Sequence, residues 1–139
     1  MASAQRVLLD TGLLVALYNA DDPAHVAAVQ WLRGFDGQLV SIEPVLAEAA
    51  FFLAPSARAA LARLAAQGWV ELHNPGPLGL QRMAALMDKY ADQDPDWADI
   101  GLVWLAEKTG IKQIVTVDAN DFSVYRIHGR TRFEILAWR

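Results

Sequence analysis

At 139 residues the chain has the length of one ordinary domain, enough to bury about two-thirds of its unfolded surface. It has no cysteine, which excludes disulfides, thiolate metal sites and cysteine nucleophiles, and no apolar run reaches membrane-spanning length. A net charge of −4 excludes a general basic coat for nucleic acid, and 54% apolar residues against 20% charged suggest more apolar surface than a monomer comfortably exposes, pointing to a dimer or a bound protein partner.

Arg6 to Asp10 (RVLLD) is a short apolar run of the kind that forms a buried strand. Thr11 and Gly12 then turn the chain into a short helix, LLVALYNA. Asp21-Asp22-Pro23 reads as a helix start, with an acidic cap and proline at the first helical position, and that helix runs to about Arg33. Gln38 to Ile42 is a second strand. Pro44 opens a helix that continues to about Leu53, and Ser56 to Gln67 is another, closed by Gly68. Trp69 to His73 is a third strand, and Leu78 to about Asp92 is helical. Pro95 breaks that helix, and Asp96 caps the next one, which runs to Thr109 and ends at Gly110. Lys112 to Asp118 is a fourth strand, and Phe133 to Ala137 a fifth, at an edge.

This alternation predicts the α/β class, with a mainly parallel sheet of about five strands covered on both faces, in a single domain over residues 1–139. The opening segment MASAQRVLLD lacks a signal-peptide layout, so a soluble cytoplasmic protein is expected. In such sheets function collects at the carboxyl ends of the strands. Asp10 and Asp118 both fall there.

Of the sixteen acidic residues, most have simple roles as caps, turns or polar helix faces. Four do not. Glu48 has Pro44, Val45, Phe51 and Phe52 as its helical neighbours, all apolar. Asp99 is followed along its helix face by Leu102 and Val103. Asp10 lies between two apolar runs, and Asp118 ends the apolar strand IVTV. An ionised carboxylate near a core is costly unless paired, and several together repel. None of the three lysines and nine arginines is adjacent to these acids in sequence. A shared divalent cation resolves the conflict, and hard oxygen ligands without His or Cys suit Mg²⁺ or Mn²⁺. Each acid also has a plainer reading: Asp99 as part of a helix cap, Glu48 as a partly exposed helix residue, Asp10 and Asp118 as turn residues. The cluster Arg126, His128, Arg130 and Arg132 is either a solvated loop or a local basic patch.

These residues fall in an ordered pattern that resembles the PIN-domain nucleases, in particular the VapC-type toxins of toxin–antitoxin pairs. VLLDTGLLVALYNADDPAH resembles the family's first motif, with Asp10 its first acid. EPVLAEAAFFL resembles the helix with the second acid, Glu48. PDWADIGLVWLAEKTG resembles the segment with the third acid, Asp99, and its frequent companion Asp96. IVTVDANDFSVYR resembles the closing motif, with Thr116 and the last acid, Asp118. The match spans nearly the whole chain. It departs from the family at Ala119-Asn120, where basic residues are common, and at Ile100, where a small residue is usual.

The resemblance implies a three-layer α/β/α fold and metal-dependent cleavage of RNA. Asp10, Asp99 and Asp118 would hold one or two Mg²⁺ or Mn²⁺ ions, with Glu48 as a further ligand or an orienter of water. Thr11 or Thr116 would orient a carboxylate, although Thr116 also suits a strand for its β-branching alone. Asp96 would cap its helix or touch a second metal. Arg126, Arg130 and Arg132 are candidate RNA contacts. The implied partners are an RNA substrate, a small cognate antitoxin and a second copy of the chain. Three rivals stand beside this reading. Leu9-Asp10-Thr11-Gly12 spells an aspartic-protease signature, but that fold is all-β. A phosphoacceptor receiver would want an acidic pair after the first strand and a lysine after a late one. A PIN-like scaffold that binds without cutting is the third.

Overall fold

In the computed structural model, which describes residues 5–139, the run Val7-Leu8-Leu9 forms the wholly buried half of strand β1 (Gln5–Leu9). Residues 1–4, the start of the segment read as lacking a signal layout, lie outside the described residues. The chain continues through α1 (Thr11–Tyr18), α2 (His25–Gly34), β2 (Gly37–Ile42), α3 (Glu43–Phe51), α4 (Pro55–Ala66), β3 (Val70–His73) and α5 (Gly76–Lys89). A 3₁₀ turn, Ala91–Gln93, leads into α6 (Trp97–Thr109). After it come β4 (Gln113–Val115), α7 (Ala119–Val124), the two-stranded pair β5 (Arg126–Ile127) and β6 (Thr131–Arg132), and β7 (Glu134–Leu136).

The main sheet has the order β3-β2-β1-β4-β7, and every neighbouring pair in it is parallel. Parallel neighbours need crossover connections, so helices flank the sheet and the result is a three-layer α/β/α fold. All five carboxyl ends point to one edge. Leu9 pairs with Val115 across β1 and β4, so Asp10 and Thr116 leave the sheet side by side. Helix α6 is the central helix: Ala98 to Ala106 are all buried, as expected for a helix that is apolar on every side. Its end is set by Gly110, at φ 76°, whose N–H bonds the Ala106 carbonyl. Among the described residues no helix is long and apolar enough to cross a membrane.

Four local expectations are corrected. The first helix begins at Thr11 rather than Leu13, because Asp10 caps it, its carboxylate accepting from the Thr11 N–H. The second begins at His25 rather than at Asp21-Asp22-Pro23. There Asp22 accepts from the Ala24 N–H at 2.8 Å and Asn19 from the Asp21 N–H at 3.1 Å, so the segment is spent in turns. The fourth strand stops at Val115 instead of reaching Asp118, because the Thr116 hydroxyl accepts from the Asp118 N–H at 2.9 Å and bends the chain. Finally, the tail holds α7 and the β5–β6 hairpin, which turns at His128 and Gly129 with φ of 53° and 71°. These elements are too short to show a period in sequence.

Candidate metal centre and active site

Asp10 is the most firmly held acid. It is 3% exposed; its N–H donates to the Val115 carbonyl at 3.1 Å, its Oδ1 accepts from the Thr11 N–H at 2.8 Å, and its Oδ2 accepts from the Thr116 hydroxyl at 2.7 Å. Thr116 also accepts from the Asp118 N–H, so one buried hydroxyl ties the first acid to the backbone of the last. Glycine at position 12 lets these segments meet: a Cβ there would lie 2.8 Å from both methyl carbons of Val117. Asp99 sits in the first turn of α6, with its N–H bonded to Asp96 Oδ1 at 2.7 Å. The hydroxyl of the buried Tyr125 lies 3.4 Å from its Oδ2.

One carboxylate oxygen from each of Asp10, Asp99 and Asp118 lies within 4.8 Å of the other two. Burial, opposed only in part by its hydrogen bonds to Thr116 and Thr11, pushes the Asp10 carboxyl up to about 6. Burial and repulsion from Asp96, Asp10, Asp118 and Asp121 push Asp99 up to about 8. Burial, then Asp121 and Asp96, also raise Asp118. Glu48 is raised by burial and by Asp96 and Asp118. The buried Thr11 hydroxyl faces it without reaching ordinary hydrogen-bond geometry. Among the described residues, none of these four acids joins an ion pair. Converging carboxylates that resist ionisation, all hard oxygen donors with no cation between them, fit Mg²⁺ or Mn²⁺.

The family model for the PIN domain matches residues 7–127. The chain belongs to the PIN domain family. Ribonuclease VapC26 of Mycobacterium tuberculosis is 31% identical to it over 134 residues, covering 94% of this chain and 99% of that protein. The crystal structure of Mycobacterium tuberculosis VapC20, a sarcin-ricin loop cleaving toxin, shares the fold with a TM-score of 0.75 at 19% identity, covering 82% of this chain and 91% of that one. In this PIN domain Leu9-Asp10-Thr11-Gly12 lies at a strand-to-helix junction of a parallel sheet, and the aspartic-protease reading falls with the all-β fold it needs.

The PIN domain does not gather the three tail arginines at the acids. The Arg126 guanidinium donates to the carbonyls of Ser123, Val124 and Tyr125 at 2.7–3.0 Å and closes α7. Arg130 and Arg132 are exposed on the hairpin. That hairpin is anchored where the His128 N–H meets Glu107, which lies eight residues, roughly 12 Å, along α6 from Asp99. Sequence reading missed Asp121, Tyr125, Trp138 and Arg139. Asp121 lies in the first turn of α7, three residues after Asp118, and would have been placed beside the acids had α7 been recognised; Tyr125 is the extended residue that ends that helix.

Proposed function

We propose that residues 1–139 work as a single cytoplasmic PIN domain that cleaves RNA phosphodiester bonds with the help of Mg²⁺ or Mn²⁺, as the toxin of a toxin–antitoxin pair. The observation that carries this reading is the convergence of Asp10, Asp99 and Asp118 with no basic side chain paired to them among the described residues. The match to a ribonuclease over nearly the full length of both chains supports RNA as the substrate.

Asp10, Asp99 and Asp118 would hold the ion, with Glu48 beside them. When bound, the ion lowers the pKa of a water and offsets charge growing on the scissile phosphate. The protein's own groups supply the geometry. The Thr116 hydroxyl fixes the Asp10 carboxylate and ties it to the Asp118 backbone. Asp96 caps α6 and so fixes where Asp99 points. Glu48, half-buried at the cleft, would serve as a further ligand or orient the attacking water through its carboxylate. Arg130 and Arg132 serve at most as outlying contacts to the RNA backbone.

The exposed apolar residues support two protein partners. Phe51 and Phe52 stand 81% and 59% exposed at the end of α3, and Phe52 also borders the acid cleft, which suits a small antitoxin covering the site. Leu72, Leu80 and Trp97 line a second exposed apolar area between β3, α5 and the start of α6, which suits a homodimer. The test of function is RNA cleavage by the parent and by Asp10→Asn and Asp118→Asn in Mg²⁺ or Mn²⁺. The parent should cut and both variants should fail; a variant as fast as the parent would overturn the site.

A further inference from the structure

The cleft beside the acids is bordered by Thr11, Glu48, Val117, Asp118, Trp138 and Arg139 and encloses about 280 Å³, near the lower end of small-ligand sites at roughly 300 Å³. Arg139 is the one cation among its lining residues. Several basic side chains are committed elsewhere: Arg6 to Glu71, Arg82 to Glu107, Lys112 to Glu134, and Arg126 to backbone carbonyls. Arg139 joins no ion pair among the described residues, and its guanidinium lies 5.6 Å from the centre of the Trp138 ring. Trp138 is buried, and both its Nε1 and the Thr11 Oγ1 are buried without a hydrogen-bond partner. Asp22 lines the cleft too, and Asp96 and Asp121 repel the central acids, so a polyanion approaching even a metal-loaded site meets excess negative charge. A guanidinium is the side chain best shaped to hold a phosphate against that field.

We infer that Arg139 grips the RNA backbone at a phosphate adjoining the one that is cut, with the buried Trp138 ring holding the guanidinium in place. The inference rests on the ribonuclease reading above. Its test is steady-state cleavage of a short single-stranded RNA in Mn²⁺ across a range of NaCl concentrations, with the parent, Arg139→Ala and Arg139→Lys. A contact made equally in ground and transition states moves KM and not kcat. Arg139→Ala should raise KM about tenfold, the loss of one charge-assisted contact, with kcat within about twofold. The slope of log(1/KM) against log[NaCl] should become shallower by about 0.7, one phosphate contact fewer on a single strand. Arg139→Lys should keep the parent slope with part of the affinity lost. Arg139→Ala with the parent's KM and slope, or both variants raising KM equally without a change of slope, would overturn the inference alone. A parent that neither binds nor cuts RNA would overturn the ribonuclease reading and the inference together.

Discussion

Two acids on helix α6 live under opposite electrostatics. Glu107 lies in the C-terminal half, its side chain 6% exposed. Burial pushes its pKa up, but the Arg82 guanidinium, donating at 2.8 and 2.9 Å, and the His128 N–H outweigh burial and bring it below the ordinary glutamate value. Asp99 lies at the other end, where burial raises its pKa and the charged groups that act on it are other carboxylates, which raise it further, to about 8. Glu107 is complete as it stands. Asp99 has no basic partner among the described residues. A buried acid that brings its own cation is structural; one packed against other acids marks a site.

Substitution should separate the two most sharply. Asp99→Asn is expected to lower RNA cleavage at least about a hundredfold, because it would remove one of the three proposed metal ligands. The same change should leave the melting temperature of the metal-free protein at pH 8 unchanged or higher, because it removes an unpaired buried charge. Initial rates and thermal melts read both effects; a fall in stability that matched the fall in rate would make Asp99 a structural acid after all. Thr116→Val follows in size. It strips Asp10 and the Asp118 N–H of their shared partner, and should weaken Mn²⁺ binding by about 10–100-fold in a calorimetric titration.

The pH profile sharpens the same contrast. Asp10 at about 6 and Asp99 at about 8 both lie above the unfolded carboxyl value near 3.9. Between those limits the native state binds protons that the unfolded chain has released, so stability falls as pH rises. The metal-free protein should therefore melt at a lower temperature at pH 8 than at pH 5.5, and Mn²⁺ should restore the difference at pH 8. A melting temperature that rises over this range would contradict the shifts. Glu107→Gln, in turn, should cost about 1–2 kcal/mol in urea unfolding through its weakened bonds to Arg82 and His128, with kcat unchanged. The smallest effect is expected at Tyr125, whose hydroxyl is at 3.4 Å from Asp99: Tyr125→Phe should slow cleavage less than about tenfold in the same assay.

Much of this was legible in the sequence, for identifiable reasons. The strand Val7-Leu8-Leu9 is a continuous apolar run, and Asp96, Gly110 and Gly68 mark helix ends by chemistry that does not depend on the rest of the fold. The acids stood out because each interrupts apolar company. Their meeting also needed the strand order, since only the β1–β4 pairing sets Asp10 opposite Thr116. What stayed hidden rests on tertiary contact. Helix α7 has six residues and no side-chain cap, and α2 starts two residues after the proline that signals a helix. Tyr125 is fixed by edge-to-face packing with Tyr90 and Phe122, and Arg139 reaches the cleft from the segment after the edge strand β7. The arginines that sequence proximity grouped, Arg126, Arg130 and Arg132, are set apart from the acids by a hairpin no periodicity could reveal.

The most direct measurement is the rate of RNA cleavage by the parent protein as Mn²⁺ is titrated into a metal-free, EDTA-treated sample at pH 7.5. The acid cluster predicts no cleavage without metal and a saturable rise in rate as Mn²⁺ is added, with no such rise in Asp99→Asn. Cleavage that proceeds undiminished in EDTA, or that Mn²⁺ stimulates equally in Asp99→Asn, would contradict it.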